Sequence, residues 1–345
     1  MAGPPLASEL DFQYRNGGLH FPHLGLWMDP HHPVRTGEWV VVSHAHSDHT
    51  ARHSAVILTE PTRRLMRSRI SGTRAERVLE FNECLHQSDL KPSTTQTPFG
   101  LSLHPAGHIL GSAMARLEVN GDSLLYTGDF KLREGRSCER CEPVHARTLV
   151  METTYGRPRY IFPPTEEVLA SVLHFCRTSL DAGITPVLIS YSLGKAQEIL
   201  ISLLKANLPI QLHASSARLT EIYADLGYQF PRWTLLDPET ARGHVIITPT
   251  ARPLLSAQPG IGPLRIASLS GWALDRRWPT TNENQPRFAL SDHADFPDLV
   301  RFVKEVRPQR VFTLHGFAAD FARHLRRQGM EAYALSEDDQ LELSL

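Results

Sequence analysis

The feature that most restricts this chain is the run Val41 to Thr50, "VVSHAHSDHT". It sets His44, His46, Asp48 and His49 within six residues, directly behind the apolar stretch "EWVVVS". An apolar run of that length reads as a buried strand, and the ligand-type side chains then project from its end rather than from its packed middle. Three later segments repeat the design: "LSLHPAGH", "LLYTGD" and "VFTLHG". Loops at one sheet edge can therefore gather His44, His46, Asp48, His49, His108, Asp129 and His315. Gly107, Gly128 and Gly316 let the backbone turn sharply beside them. Imidazole and carboxylate suit Zn²⁺, Mn²⁺ or Fe, and this set exceeds what one tetrahedral ion takes. The expectation is a two-metal centre with one shared carboxylate and ions about 3.5–4 Å apart.

The rest of the chain reads as α/β. "AVILTE", "ARLEV", "SLLYTG", "RTLVMET", "GITPVLISYSL", "GHVIITPT" and "QRVFTLHGF" are strand-like. "PTRRLMRSRI", "EEVLASVLHFCRTSL", "GKAQEILISLLKAN" and "PDLVRFVKEVRP" carry helical spacing. Between about Leu254 and Arg287 the sequence is rich in Gly, Pro and Asn and reads as irregular. With 345 residues, 41% of them hydrophobic, there is material for one large or two ordinary domains. The formal charge of −1 gives no global field, so an anionic substrate must be attracted locally.

The N-terminal stretch "MAGPPLASELDF" has no basic segment followed by an apolar one, and no stretch approaches the ~18 apolar residues of a membrane helix. Only four cysteines occur, which favours a reducing, cytoplasmic setting and no membrane partner. Cys138 and Cys141 have the spacing of half a zinc site. His145 could add one ligand, but no second pair follows, so two thiols in a loop is the better reading.

"SHAHSDH", "PAGHILGSA", "LYTGDF" and the later "LHG" resemble the successive metal motifs of the metallo-β-lactamase superfamily. The resemblance implies an αββα sandwich in which His44, His46 and His108 hold one metal. Asp48, His49 and His315 would hold the second, with Asp129 bridging. Asp29, in "LWMDP", matches the early aspartate that orients a ligand histidine in that superfamily, although alone it reads as a turn before Pro30.

The interval between Asp129 and His315 is long for a small-molecule hydrolase of this kind. Within it, "LVMETTYG" places Glu152 after a strand and "FALSDHADF" places His293. Both motifs, and "YSLGKAQE", resemble the β-CASP nucleases, the branch that includes RNase J, the mRNA 3′-end processing endonuclease and the DNA repair nuclease Artemis. The resemblance implies a compact β-CASP α/β domain at 157–291, inserted into a metallo-β-lactamase domain formed by 1–156 and 292–345. Short chains combining "LYTGDFK", "METTYG" and "FALSDHADF" are similar to the DNA ligase-associated exonucleases. That implies a dimetal phosphodiester hydrolase acting on DNA in repair, in functional partnership with an ATP-dependent DNA ligase and a helicase. The histidine at position 315 is an RNA-type feature within the branch, so an RNA-processing ribonuclease is the alternative. A non-catalytic scaffold of the same fold would have lost ligands that this chain keeps.

A phosphodiester is anionic and inert, so its cleavage needs charge neutralisation and a strong nucleophile. Two divalent ions, Zn²⁺ or Mn²⁺, would supply both through a bridging hydroxide. The expected catalytic set is Asp29, Asp48, Glu152 and His293. His293 would bind a non-bridging oxygen or protonate the leaving oxygen, and Glu152 would orient or polarise it. Lys131 and Arg133, which follow the bridging aspartate, are candidates for phosphate contact. The stretch from Ser192 to Lys195 lacks the glycine spacing of a triphosphate loop. A helix start there could still bind one phosphate. Arg63, Arg64, Arg67, Arg69, Arg74 and Arg77 crowd one helical region, either as a nucleic-acid face or as a solvated charged one.

Overall fold

A computed structural model of the chain describes residues 10–34, 37–91, 95–256, 262–275 and 285–335. Most of the N-terminal stretch read above for a signal lies outside these residues, as do 257–261 and 276–284 of the segment read as irregular. The chain divides into two compact units. The first comprises Met1–Glu134, Glu139–Arg159 and Ala294–Leu345; the second comprises Gly135–Cys138 and Tyr160–His293.

The first unit is built on two sheets. One has six strands in spatial order Gln13–Arg15, Gly18–Phe21, Leu26–Met28, Trp39–Val41, Ala55–Leu58 and Ala75–Val78. The other has seven, in the order Glu331–Ala334, Arg310–Leu314, Thr148–Glu152, Asp122–Tyr126, Ala113–Val119, Gly100–Pro105 and Cys84–His86. Because strand side chains alternate between faces, neighbours in sequence enter different cores. Val41 and Ile57 join Leu103, Leu117, Tyr126 and Leu314 in one buried cluster fed by both sheets. Val40, Val42, Val56 and Leu58 face the other way and meet Met66 of the helix Glu60–Arg69. On the far side of the second sheet, Leu125, Leu149 and Met151 pack against Leu299, Phe302 and Val303 of the helix Phe296–Val306. Phe321 and Leu325 of the helix Ala318–Arg327 join them. The layers thus run helix, sheet, sheet, helix, which is the expected αββα sandwich.

The helices start where local chemistry allows. Thr59 caps Glu60–Arg69 by accepting the Thr62 amide, and Asp295 caps Phe296–Val306 by accepting the Asp298 amide. Each helix also has a proline in its first turn, where the missing N–H costs nothing.

The second unit is an all-parallel six-stranded sheet, ordered Thr234–Leu235, Ile210–Leu212, Val245–Thr248, Thr185–Ile189, Leu264–Leu269 and Arg287–Phe288. Both faces are covered. Leu188, Ile247 and Ala267 meet Val172 and Cys176 of the helix Thr165–Asp181, while Val187 and Ile246 meet Leu254 on the opposite face. One expectation needs correction. Within the stretch read as irregular, Arg252–Ser256 is helical and Leu264–Leu269 is a strand paired in register with Thr185–Ile189. Arg265 and Ser268 interrupt the apolar pattern of "LRIASL", and the glycines and prolines around it hide a strand whose partner lies far off in sequence.

Candidate metal centre

The end of the strand Trp39–Val41 and the loops after Gly100–Pro105 and Asp122–Tyr126 deliver His44, His46, His108 and Asp129 to one place. Their donor atoms all lie within 4.8 Å of one another. His46 Nδ1 is 3.2 Å from His44 Nε2 and 3.0 Å from His108 Nε2. Asp129 Oδ2 is 3.5 Å from His44 Nε2 and 3.7 Å from His108 Nε2.

Four atoms bound tetrahedrally to one Zn²⁺ at 2.0–2.1 Å would stand about 3.3 Å apart, so this set fits such an ion. Protons alone serve it poorly, since three imidazole nitrogens and a carboxylate oxygen converge on one point. Burial, followed by the neighbouring His49 and His108, holds His44 well below the usual histidine range, in the neutral form that ligates.

His49 occupies the other side of Asp129. Its Nε2 is 3.4 Å from Asp129 Oδ2, and its Nδ1 is 2.8 Å from Asp29 Oδ2. Burial alone would lower its imidazole, but the Asp129 and Asp29 carboxylates raise it well above the usual range. Positive charge is favoured at this point, whether it arrives as a proton or as a metal ion. The Asp29 contact places the Nδ1 proton and turns Nε2 toward Asp129.

Asp29 is itself fully buried, at φ +47°, a left-handed conformation that aspartate tolerates better than most residues. Its Oδ1 accepts the Ser43 amide at 2.8 Å, and its Oδ2 accepts the Ser43 hydroxyl at 2.5 Å and the Tyr126 hydroxyl at 3.1 Å. Ser43 also lies 2.9 Å from His44 Nδ1. Sequence reading passed over Ser43 and Tyr126. Their only signal is adjacency, one directly before His44 and one in the strand that leads to Asp129.

Of the remaining candidates, Glu152 offers a carboxylate oxygen within 4.8 Å of one of Asp129, whereas Asp48 and His315 are less tightly gathered. The Asp48 side chain is 68% exposed, with Oδ2 3.9 Å from His49 Nε2. The His315 ring centroid is 6.0 Å from that of His49, and burial lowers its pKa. His315 also has a positive φ of +59°. Gly316 follows it at φ +57°, where a Cβ would come within 2.4 Å of the Thr154 Cα. Glu152 ends the strand Thr148–Glu152 fully buried. Its carboxylate accepts the Phe130 amide at 3.2 Å and the Thr154 amide at 3.0 Å. His293 is the last residue of the second unit, and its amide donates to the Ser291 hydroxyl at 3.0 Å.

Two of the four phosphate candidates have their charge neutralised. Arg133 is ion-paired with Asp295 and lies 3.4 Å from Asp298, and Lys195 is buried with its ammonium 2.9 Å from Asp292. Ser192 pairs with the Ser215 hydroxyl at 2.7 Å, and Lys131 is buried. In the arginine-rich region, Arg63 and Arg64 bind Glu60, Arg67 binds Glu76, and Arg77 lies 3.6 Å from Glu83. That favours the solvated charged face over a nucleic-acid surface.

A two-sheet sandwich with histidines and an aspartate converging at its strand ends defines a candidate metal centre. Residues 287–335 match the family described as "Zn-dependent metallo-hydrolase RNA specificity domain". The chain is 46% identical over 330 residues to a protein named "Probable DNA ligase" from Opitutus terrae, covering 95% of this chain and 31% of that protein. It is 31% identical over 179 residues to the "RNase J-like protein" of Methanocaldococcus jannaschii, covering 47% of this chain and 42% of that one. It therefore spans less than half the length of these relatives. A crystal structure of a protein of unknown function from Enterococcus faecalis V583 shares the fold, with a TM-score of 0.58 over 87% of this chain and 79% of that chain at 13% identity. These matches, with the sandwich fold, support membership of the metallo-β-lactamase superfamily, in its β-CASP branch. Among the described residues, no helix is long and apolar enough to cross a membrane.

Proposed function

We propose that the chain is a divalent-metal-dependent phosphodiesterase that trims DNA ends in repair, in the cytoplasm and in partnership with a ligase. The observation that carries the DNA assignment is the alignment of nearly the whole chain with about a third of a protein named as a DNA ligase. A nuclease and a ligase act on the same substrate when one prepares the end that the other seals.

His44, His46 and His108 would hold one ion, Asp129 would bridge, and His49, Asp48 and His315 would hold the second. When bound, two zinc ions supply Lewis acidity that activates water and neutralises phosphate charge. Asp29 and Ser43 fix the rings of His49 and His44. Asp48 lies at the exposed edge of the cluster. Glu152 is held as a rigid acceptor by two backbone amides. His293 is assigned, on its motif, to the proton of the leaving oxygen.

The second reading is an RNA-processing nuclease. It draws on the RNA specificity description of the family matching 287–335 and on the RNase J-like relative. Matched single-stranded DNA and RNA, labelled at the 5′ or 3′ end and incubated with metal-analysed protein, separate the two. A ladder from DNA supports the proposal and gives its polarity. Degradation of RNA with DNA left intact replaces it by the second reading.

A further inference from the structure

The helix Glu60–Arg69 contributes no metal ligand, yet both of its ends are tied to loops that do. At its N-terminus the Thr59 hydroxyl donates to the Gly111 carbonyl at 2.7 Å and the Thr62 hydroxyl donates to the same oxygen at 2.9 Å. Both threonines are buried. Gly111 closes the turn that begins at His108, with φ +75°. Its Cβ position is filled by Pro61 Cβ at 2.6 Å and Thr59 Oγ1 at 2.8 Å, so the helix start and the turn are fitted against each other. The Gly111 amide is held from the other side by Glu139 at 2.9 Å. Within the turn, Ser112 Oγ accepts the amides of His108 and Ile109 at 3.1 and 3.2 Å.

At the other end of the helix, the Arg69 guanidinium donates to the Ala45 carbonyl at 2.6 Å. Ala45 lies between His44 and His46, so this bond fixes the peptide from which the His46 side chain departs.

We propose that this helix is a positioning element that sets the His46–His108 separation, with Thr59, Thr62 and Arg69 as its positioning residues. An α-helix is stiff along its axis, and its length is fixed by residue count. Two loops fastened to its ends cannot drift apart without breaking the buried threonine bonds at one end or the half-buried arginine bond at the other. The contact at stake is the 3.0 Å approach of His108 Nε2 to His46 Nδ1, one edge of the four-donor cluster. The inference rests on the metal-centre reading above.

The test measures metal binding directly. Apparent zinc affinity is determined by chelator competition on the full chain, and the ligand field is read from the visible spectrum of the cobalt(II)-loaded protein. Thr59→Val with Thr62→Val keeps the side-chain volume and removes both hydroxyls; Arg69→Ala removes the other tie. Each is expected to weaken zinc about ten-fold or more and to alter the cobalt bands, as loss of groups that orient ligands does. Thr59→Ser with Thr62→Ser should restore both readings. Arg64→Ala, at an exposed position of the same helix, is the control, because it preserves the helix and touches neither loop. Wild-type zinc affinity and cobalt bands in both variants overturn the inference, as does equal weakening by Arg64→Ala. Should the double valine variant fail to fold, Arg69→Ala decides alone. A wild-type chain that binds no divalent ion sinks the metal reading itself, a result distinct from either.

Discussion

Asp29 and His49 lie twenty positions apart in sequence and 2.8 Å apart between Oδ2 and Nδ1. Through this contact a carboxylate outside the four-donor cluster of His44, His46, His108 and Asp129 holds the ring of His49. The same oxygen accepts from Ser43 and Tyr126, so its removal would orphan three buried donors at once.

Asp29→Asn keeps a residue that tolerates the left-handed backbone and can accept at least one of these bonds. It should fold, with zinc affinity lowered about 10- to 100-fold. Asp29→Ala should in addition lose about 2–4 kcal/mol of stability through the unpaired donors. Chelator competition and urea unfolding of both variants separate the two effects. Equal zinc affinity in wild type and Asp29→Asn would refute the orienting role.

Metal removal should act on the first unit. An ion present at a thousand times its Kd stabilises the state that binds it by about 4 kcal/mol. Prolonged chelation should therefore lower the melting temperature of the unit that holds His44, His46 and His108, and added zinc should restore it. The second unit supplies none of these ligands, so its transition should stay in place. Calorimetry with and without chelator reads both.

Arg133→Ala tests whether that arginine serves the substrate or the fold. It removes the guanidinium from beside Asp295, at 0% side-chain exposure, while Asp298 keeps Arg301 at 3.2 Å. The expected result is a loss of about 3 kcal/mol in stability. A variant of unchanged stability with raised KM would instead assign Arg133 to phosphate binding.

His104 and His53 predict an acid-labile fold. Burial pushes both down to about 4, helped by Arg116 near His104 and, for His53, opposed by Asp29 and aided by Arg74. Neutral His104 bonds to Asn82 Oδ1 at 2.6 Å and to Ser102 Oγ at 2.9 Å. Below pH 6.5 the unfolded chain takes up protons that the folded chain refuses until about pH 4. Stability is therefore full above 6.5 and falls as pH drops between these values. Urea midpoints at pH 7, 5.5 and 4.5 should decline in that order, and His104→Gln should shallow the slope. A slope unaltered by His104→Gln would remove His104 from this account.

Much of this was legible in sequence because the ligands follow apolar strands in short, rigid motifs. Val41 and Val42 announce a strand end, and His44 and His46 then leave it two residues apart. Gly128 is equally readable, since at φ +53° a Cβ there would meet Ser43 Oγ at 2.5 Å. What sequence withheld was pairing at a distance. Nothing in "LRIASL" says that Leu264–Leu269 adds beside Thr185–Ile189. Lys195 reads as an open cation until Asp292, nearly a hundred positions on, is found beside it. Ser43 and Tyr126 are common residue types whose role exists only once Asp29 has been folded against them.

The strands Thr148–Glu152 and Arg310–Leu314 are hydrogen-bonded neighbours, and the main segment of the second unit, Tyr160–His293, is threaded through the connection between them. To the sandwich, that unit is one very long loop, and the entropic cost of a loop rises only slowly with its length. Every ligand of the candidate centre lies on the sandwich side of the splice. Exchange of the inserted cassette would therefore leave every candidate metal ligand in place, whereas His293, the last residue of the second unit, would go with the cassette.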